Sequence, residues 1–152
     1  MIYIGIDPGK KGGWAVIQPN AEPIVCPWDD TFFVSDIHGI VDMARERRER
    51  IVAAVEKVCS MPHDSHKAAF NFGHSLGYIE GVLISLGIPY QLVPPMKWKK
   101  EFSLIGKDKK ASIDTCKRLF PELNLRRTDK CRTDSDGLAE STLLAEYARR
   151  KF

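Results

Sequence analysis

The sequence predicts an α/β protein, because three short strand patterns open the chain and helical patterns then alternate with further strands. The first strand pattern, residues 2–6, is β-branched and aromatic, and a turn sequence that begins at Asp7 closes it. Short apolar runs at 14–17 and 24–26, separated by turn residues, predict that the first three strands form an antiparallel meander. Asp7 is therefore expected at the point where the first strand ends.

Further along the chain, segments with helical periodicity alternate with apolar strand patterns. Helices are predicted at residues 35–50, 68–86, 112–120 and 137–150, and strands at 51–58 and 88–93. The run at 51–58 is typical of a buried central strand, but it contains an acid, Glu56. Gly87 is expected to end the helix before it, and Pro94 with Pro95 to end the last strand.

Three glycines, Gly73, Gly77 and Gly81, recur every four residues in the helix predicted at 68–86. Glycine costs about 1 kcal/mol relative to alanine in a helix interior. Three of them on one helix face therefore predict a close approach to the sheet or to another helix.

The 152 residues and 43% hydrophobic content suit one compact domain spanning 1–152. No apolar run is long enough for a membrane span, and the first residues lack the pattern of a secretory signal. We therefore expect a cytoplasmic protein without a membrane partner. The cysteines Cys26, Cys59, Cys116 and Cys131 are scattered without a CxxC pair, which indicates reduced thiols rather than disulfides or a zinc site.

Positive charge is concentrated in the last third of the chain. Residues 1–96 contain 8 Lys/Arg and 11 Asp/Glu, a balance of −3, whereas residues 97–152 contain 15 and 9, a balance of +6. Such asymmetry is typical of a face that binds a polyanion, although solvated helix faces produce it as well.

Four acids stand where a protein core disfavours them: Asp7 at a strand end, Glu56 in an apolar strand, and Asp136 and Glu140 on the last helix. Asp136 and Glu140 are four residues apart and therefore share one helix face. A buried carboxylate is costly unless it is paired or bound to a cation. Acids from three distant segments therefore predict a metal site, since carboxylate oxygens are ligands of hard cations.

Each acid also has a purely structural interpretation. Asp7 could belong to a tight turn, Glu56 could be a surface acid on an edge strand, and Asp134 or Asp136 could be a helix N-cap. The glycines near the start fit neither G-x-G-x-x-G nor the P-loop pattern, so no nucleotide cofactor is expected.

The ordered set of motifs resembles the RuvC-like Holliday-junction resolvases, especially their short phage-type and prophage members. The resemblance rests on the opening Gly-Ile-Asp-Pro-Gly with a following Gly-Gly-Trp-Ala; Glu56 followed by Met61-Pro62; the segments 70–73 and 87–90; Pro94-Pro95 with Trp98-Lys99-Lys100; the lysines of 107–110 before 119–121; and 136–140 continuing into 143–147.

This resemblance implies a ribonuclease-H-like α/β fold with a mixed sheet flanked by helices, a homodimer, divalent-metal catalysis and symmetric nicking of four-way DNA junctions, with forks as further substrates. The family's acids fall on Asp7, Glu56, Asp136 and Glu140 of this chain. Its last two acids are usually aspartates three apart, whereas this chain has an Asp and a Glu four apart. Asp134 is therefore an alternative to Asp136 as the third metal ligand. The implied setting is the cytoplasm of a bacterium or of a phage-infected host.

By the same resemblance, two Mg²⁺ ions, replaceable by Mn²⁺, would activate a water and stabilise the leaving oxygen, with Asp7 as the ligand shared by both. Phe70 or Phe72 is predicted to insert at the junction, unless it is a core aromatic. The expected phosphate contacts are Lys97, Lys99, Lys100, Lys107, Lys109 and Lys110. His63 and His66 are expected at the surface, and Trp14 and Trp98 as packing residues.

Two other functions remain compatible with these residues. An RNA-processing nuclease of the same fold would use the same carboxylates, and a protein that binds branched DNA without cutting it would share the basic surface. The presence of all four acids disfavours the second.

Overall fold

The computed structural model describes residues 1–57 and 65–152. The strands are β1 (Ile2–Asp7), β2 (Gly13–Ile17), β3 (Ile24–Pro27), β4 (Ile51–Glu56) and β5 (Tyr90–Val93). The helices of the described residues are α1 (Asp30–Glu46), α2 (His66–Ser85), α3 (Pro95–Glu101), α4 (Lys109–Leu119) and α5 (Asp136–Lys151). The strands form one sheet in the order β3-β2-β1-β4-β5.

The sheet is mixed. β1 pairs with β2, and β2 with β3, in antiparallel fashion, which confirms the predicted meander. β4 pairs in parallel with both β1 and β5. Because β1, β4 and β5 run in the same direction, their last residues, Asp7, Glu56 and Val93, lie along one border of the sheet, here called the C-terminal edge.

Helices cover both faces of the sheet, so two hydrophobic layers form. On one face, α1 and α2 pack on Ile2, Ile4 and Ile6 of β1. On the other face, α5 together with α3 and α4 encloses a second core around Ala54 and the fully buried Trp98. This arrangement confirms the predicted α/β class with a mixed sheet and flanking helices.

Helix α5 lies directly on β1 because glycines leave room for its backbone. A Cβ added at Gly5 would lie 2.1 Å from the backbone of both Ser141 and Ala145, and one added at Gly137 would lie 2.0 Å from the carbonyl oxygen of Lys11. No side chain fits in either contact. The first turn of α5 is thereby held against the β1–β2 loop, at the C-terminal edge.

Several predicted boundaries differ from the structure. Helix α1 begins at Asp30 rather than near 35, because Asp29 caps it by accepting a hydrogen bond from the Thr31 amide. Helix α3 was not predicted at all. Pro94 and Pro95 do end β5, but Pro95 also occupies the first turn of a helix, where proline has no amide to lose. Gly87, at φ +69°, follows α2 as expected.

The glycines of α2 do not make the predicted close approach within the described chain. A Cβ added at Gly73, Gly77 or Gly81 would meet no atom within 4 Å. The buried side of α2 is instead formed by Ile79 and by Val82 with Leu83. Among the described helices, none combines the length and apolar character that crossing a bilayer requires.

Candidate active site

Strand alternation points Asp7 and Glu56 to the same face of the sheet. Successive side chains of a strand alternate between faces, so Asp7 shares the face of Gly5, and Glu56 that of Ala54. Gly5 packs on the backbone of α5, and Ala54 belongs to the core on the α5 side. Since Ile6 pairs with Val55, the two acids end neighbouring strands side by side.

Helix α5 brings the other two acids to the same place. Asp136 is its first residue, and Glu140 lies one turn later on the same helix face. The N-cap is Ser135, so the interpretation of Asp134 or Asp136 as the N-cap is wrong. Asp134 pairs with Lys117 of α4. Of the two alternatives, Asp136 is therefore the acid in the first turn of α5.

The pKa of Asp7 reflects both its burial and the charges of the other three acids. Burial, and then the charges of Glu56, Glu140 and Asp136, raise it well above its usual value, and a hydrogen bond with Glu56 adds to the effect. Asp7 is therefore more than a turn residue. Glu56 is not a surface acid on an edge strand either, because β4 lies between β1 and β5.

Glu56 and Glu140 are held by neighbours from α3 and α4. The indole nitrogen of Trp98 donates a hydrogen bond of 2.9 Å to Oε1 of Glu56. The hydroxyl of Ser112 donates one of 3.2 Å to Oε1 of Glu140, and Nζ of Lys99 lies 3.8 Å from the same oxygen. Burial raises the pKa of Glu140, and the charge of Lys99 opposes that effect only in part.

Asp136 is paired with a lysine of the predicted DNA-binding set. Nζ of Lys109 lies 2.5 Å from its carboxylate. Burial raises the pKa of Asp136, but the hydrogen bond and the charge of Lys109 outweigh it, so the pKa lies below its usual value. The other four lysines predicted for DNA binding are exposed: Lys97, Lys100, Lys107 and Lys110. Lys99 and Lys109 thus place positive charge beside the acid cluster.

The donor atoms fit a hard divalent cation. Carboxylate oxygens are the ligands that Mg²⁺ uses in proteins, and the mutual repulsion that raises the pKa of Asp7 is relieved by a bound cation. Within residues 1–57 and 65–152, however, no three His, Cys, Asp or Glu side chains are grouped so that they could hold an ion. In the structure, Asp136 pairs with Lys109 and Glu140 with Lys99. Metal binding would require these ion pairs to open.

Arg127, in the loop between α4 and α5, holds the β1–β2 loop that follows Asp7. Its guanidinium donates to the carbonyl oxygens of Lys10, Lys11 and Gly12 at 3.0, 2.8 and 2.9 Å. Sequence reasoning missed this residue, because it is one of several arginines in a basic loop and nothing local marks its partner.

The aromatic residues at the start of α2 differ in exposure. Phe70 is 72% exposed and stacks on His74 at 6.3 Å, so it is not a core residue. Phe72 is half-buried, and His66 is exposed, as predicted for a surface residue. His63 and the Met61-Pro62 motif lie outside the described residues.

Comparison with solved structures assigns the fold. The chain is similar to RuvC of Thermus thermophilus in complex with a Holliday junction substrate, with a TM-score of 0.62 and 20% identity over 99% of this chain and 97% of that one. A second Thermus thermophilus RuvC structure gives a TM-score of 0.60 at 20% identity, covering 99% and 96% of the two chains. No family model matches the sequence, and neither does any curated protein.

These similarities show that the chain has the RuvC fold, which is ribonuclease-H-like. The resemblance drawn from the sequence motifs is thereby confirmed at the level of the fold.

Proposed function

We propose that this protein is a metal-dependent, structure-selective endodeoxyribonuclease that cleaves Holliday junctions and other branched DNA. The observation that carries the proposal is the group of four acids, Asp7, Glu56, Asp136 and Glu140, which interact electrostatically at the C-terminal edge of a RuvC-type sheet. A similar chain is known in complex with a Holliday junction substrate.

Each part of the site has a role in this proposal. Asp7, at the centre of the cluster, would be shared by two Mg²⁺ or Mn²⁺ ions, with Glu56, Asp136 and Glu140 around it. When bound, such ions supply an activated water and stabilise the oxygen that leaves the phosphodiester. Lys99 and Lys109, released from the acids, would contact DNA phosphates together with the exposed lysines nearby.

The shape of the site favours a polymeric substrate over a small molecule. The cavity beside Glu140 has a volume of about 30 Å³ and is lined by Lys99, Lys107 and Lys109. Pockets for small ligands usually measure about 300–1,000 Å³. An acid cluster flanked by Lys99 and Lys109 suits the phosphates of a DNA backbone that lies across the surface.

Phe70 is the better of the two candidates for the residue that inserts at the junction. It is 72% exposed at the start of α2, so insertion between bases requires no unfolding of the core. Phe72 is half-buried. A Phe70→Ala variant should lose junction opening, measured with a fluorescent base analogue, at nearly unchanged thermal stability.

The open face of α2 is where a second copy of the chain would bind. Besides its three glycines, this helix exposes Ile84 by 66%, and a Cβ added at any of these glycines would meet no atom of the described residues within 4 Å. A symmetric dimer would place two acid clusters on one four-way junction. In sedimentation, Gly77→Arg should yield monomers. Gly39→Arg, at an equally open glycine of α1, should leave the dimer intact, and a monomeric wild type would disprove the dimer.

The decisive assay compares labelled four-way junction, fork, duplex and RNA–DNA hybrid, each with and without Mg²⁺. Cleavage of the junction alone or with the fork supports the proposal, whereas preferred cleavage of the hybrid supports the RNA-processing alternative. Binding without any cleavage indicates the non-catalytic alternative.

A matched pair of variants tests the acid assignment. Asp136→Asn should abolish cleavage while junction binding survives, because Asp136 lies in the acid cluster. Asp134→Asn, two residues earlier, should cleave normally, because its partner is Lys117. The opposite result would make Asp134 the metal ligand.

A further inference from the structure

Helix α3 reaches the acid cluster through two consecutive residues. Trp98 donates a hydrogen bond to Glu56 of β4, while Lys99 lies 3.8 Å from Glu140 of α5. Nζ of Lys99 also lies 5.2 Å from the centre of the Trp98 ring. One turn of a short helix therefore contacts acids from two different elements.

The path of the chain fixes this turn rigidly. Glu56 pairs with Val93 in the sheet, and the Lys57 amide donates to the Val93 carbonyl at 2.9 Å. Pro94 and Pro95 then start α3 directly after β5. The chain thus leaves β5, forms α3, and brings the indole of Trp98 back to the end of the neighbouring strand, β4.

Trp98 itself is packed in the core on the α5 side of the sheet. It is fully buried, in the same core as Phe102 and Leu104, so packing fixes the direction of its N–H group. A buried indole N–H requires an acceptor, and here it uses a carboxylate oxygen instead of a backbone carbonyl. This bond uses one lone pair of Oε1, and the Glu56 carboxylate also shares a hydrogen bond with Asp7.

We propose that Trp98 is a positioning residue, whose indole N–H holds the Glu56 carboxylate in the orientation in which it binds a divalent cation. The proposal rests on the function proposed above. A long flexible side chain loses conformational entropy when it becomes a ligand, and Trp98 removes part of that loss before the cation arrives. Trp98 is therefore more than the packing residue that the sequence predicts.

The direct test measures Mn²⁺ affinity by calorimetry in the absence of DNA. Trp98→Phe keeps an aromatic ring in the core but lacks the donor, and it should lower the affinity by about 10- to 100-fold, as loss of a partner that orients a metal ligand does. Trp14→Phe is the matched control. Trp14 is equally aromatic and 3% exposed, but it lies in the other core, so its replacement should leave the affinity unchanged.

A double-mutant cycle shows whether the effect passes through Glu56. In a Glu56→Gln background, Trp98→Phe should cause no further loss of Mn²⁺ affinity, since the ligand that it positions is already altered. An equal loss in both backgrounds would mean that Trp98 acts by general destabilisation. In cleavage assays on the four-way junction, Trp98→Phe should fail at limiting Mg²⁺ and recover at high Mg²⁺, with junction binding unchanged.

A spectroscopic test works even if Trp98→Phe does not fold. In a protein with Trp14→Phe and Trp28→Phe, Trp98 is the remaining tryptophan, and adding Mg²⁺ should change its emission because the acceptor Glu56 becomes a ligand. Adding Glu56→Gln should abolish this change. If wild type binds no Mn²⁺, the proposed function fails. If it binds Mn²⁺, and the Trp98→Phe affinity equals that of Trp14→Phe, only the positioning role fails.

Discussion

Helices α5 and α2 cover opposite faces of the sheet, and the glycines in or beside them have different roles: some make a close backbone contact, and the others lie open. At Gly5 and Gly137, a Cβ would lie within 2.1 Å of backbone atoms, so α5 is in backbone contact with β1 and with the β1–β2 loop. At Gly73, Gly77 and Gly81 of α2, a Cβ would meet no atom of the described residues within 4 Å.

The difference separates two uses of the same residue. On the α5 side, glycine shortens the distance between a helix and a strand that both carry acids, and the acid cluster depends on that distance. On the α2 side, glycine only keeps a helix face small and open. A regular glycine spacing in a sequence therefore does not by itself show that the helix face is packed within its own chain.

The largest expected effect is on catalysis at the α5 side. Asp7→Asn should reduce junction cleavage by more than about 100-fold. Loss of a residue that only orients a metal ligand lowers activity by about 10- to 100-fold, and loss of the proposed ligand itself should have a larger effect. Junction binding should survive, which a binding assay in Ca²⁺ checks. Cleavage at the wild-type rate would show that the acid cluster is not the reaction site.

The same variant should be more stable than wild type when metal is absent. The pKa of Asp7 is raised, by burial first and then by its acidic neighbours, so its ionised form destabilises the fold. As pH rises from the usual aspartate pKa through the raised one, wild type loses stability relative to Asp7→Asn, and above that window the difference is constant. Urea unfolding in EDTA at several pH values measures it.

The next largest effect is on packing under α5. Gly5→Ala should lower the free energy of unfolding by about 3 kcal/mol, at the upper end for an overpacked site, because the clash involves backbone atoms rather than mobile side chains. Urea denaturation measures this change. A neutral result would mean that α5 can move away from β1, and it would weaken the comparison of the two helices.

A moderate effect is expected at the β1–β2 loop. Arg127→Ala removes three hydrogen bonds to the loop carbonyls, so cleavage should fall by up to about 100-fold through misplacement of the loop after Asp7. Its exposed neighbour Arg126 provides the control. If Arg126→Ala lowers cleavage equally, the effect is loss of positive charge rather than loss of loop position.

The smallest effect should occur at the open glycines of α2. Gly77→Ala should raise the free energy of unfolding of an isolated chain by about 1 kcal/mol, because alanine is the better helix former. Gly39→Ala on α1 should give a similar gain. If Gly77→Ala alone weakens self-association in sedimentation, the α2 face is an interface between copies.

The sequence marks the acids more clearly than it marks the residues that contact them. Asp7 and Glu56 were found because their local surroundings are unusual for a charge, and the spacing of Asp136 and Glu140 placed both on one helix face. Helix α3 was missed because two prolines end a strand as readily as they begin a helix.

The partners of the acids could not be predicted for a different reason. Trp98 contacts a residue 42 positions away, and the Arg127 contacts span 115 positions or more, so no local pattern records either contact. The ion pairs of Lys99 and Lys109 with acids could not be predicted either, because the sequence around these lysines shows only a basic segment. Such contacts depend on the finished packing of α3, α4 and α5.

The contact of α5 with β1 also determines when the site can exist during synthesis. A growing chain that has not yet delivered α5 carries Asp7 and Glu56 but neither Asp136 nor Glu140. Arg127 and the Lys11 carbonyl are 116 positions apart, so both loops at the C-terminal edge also assemble late. Non-local contacts form slowly because a long loop must close first. The four acids therefore come together only after α5 has been synthesised and has packed on β1.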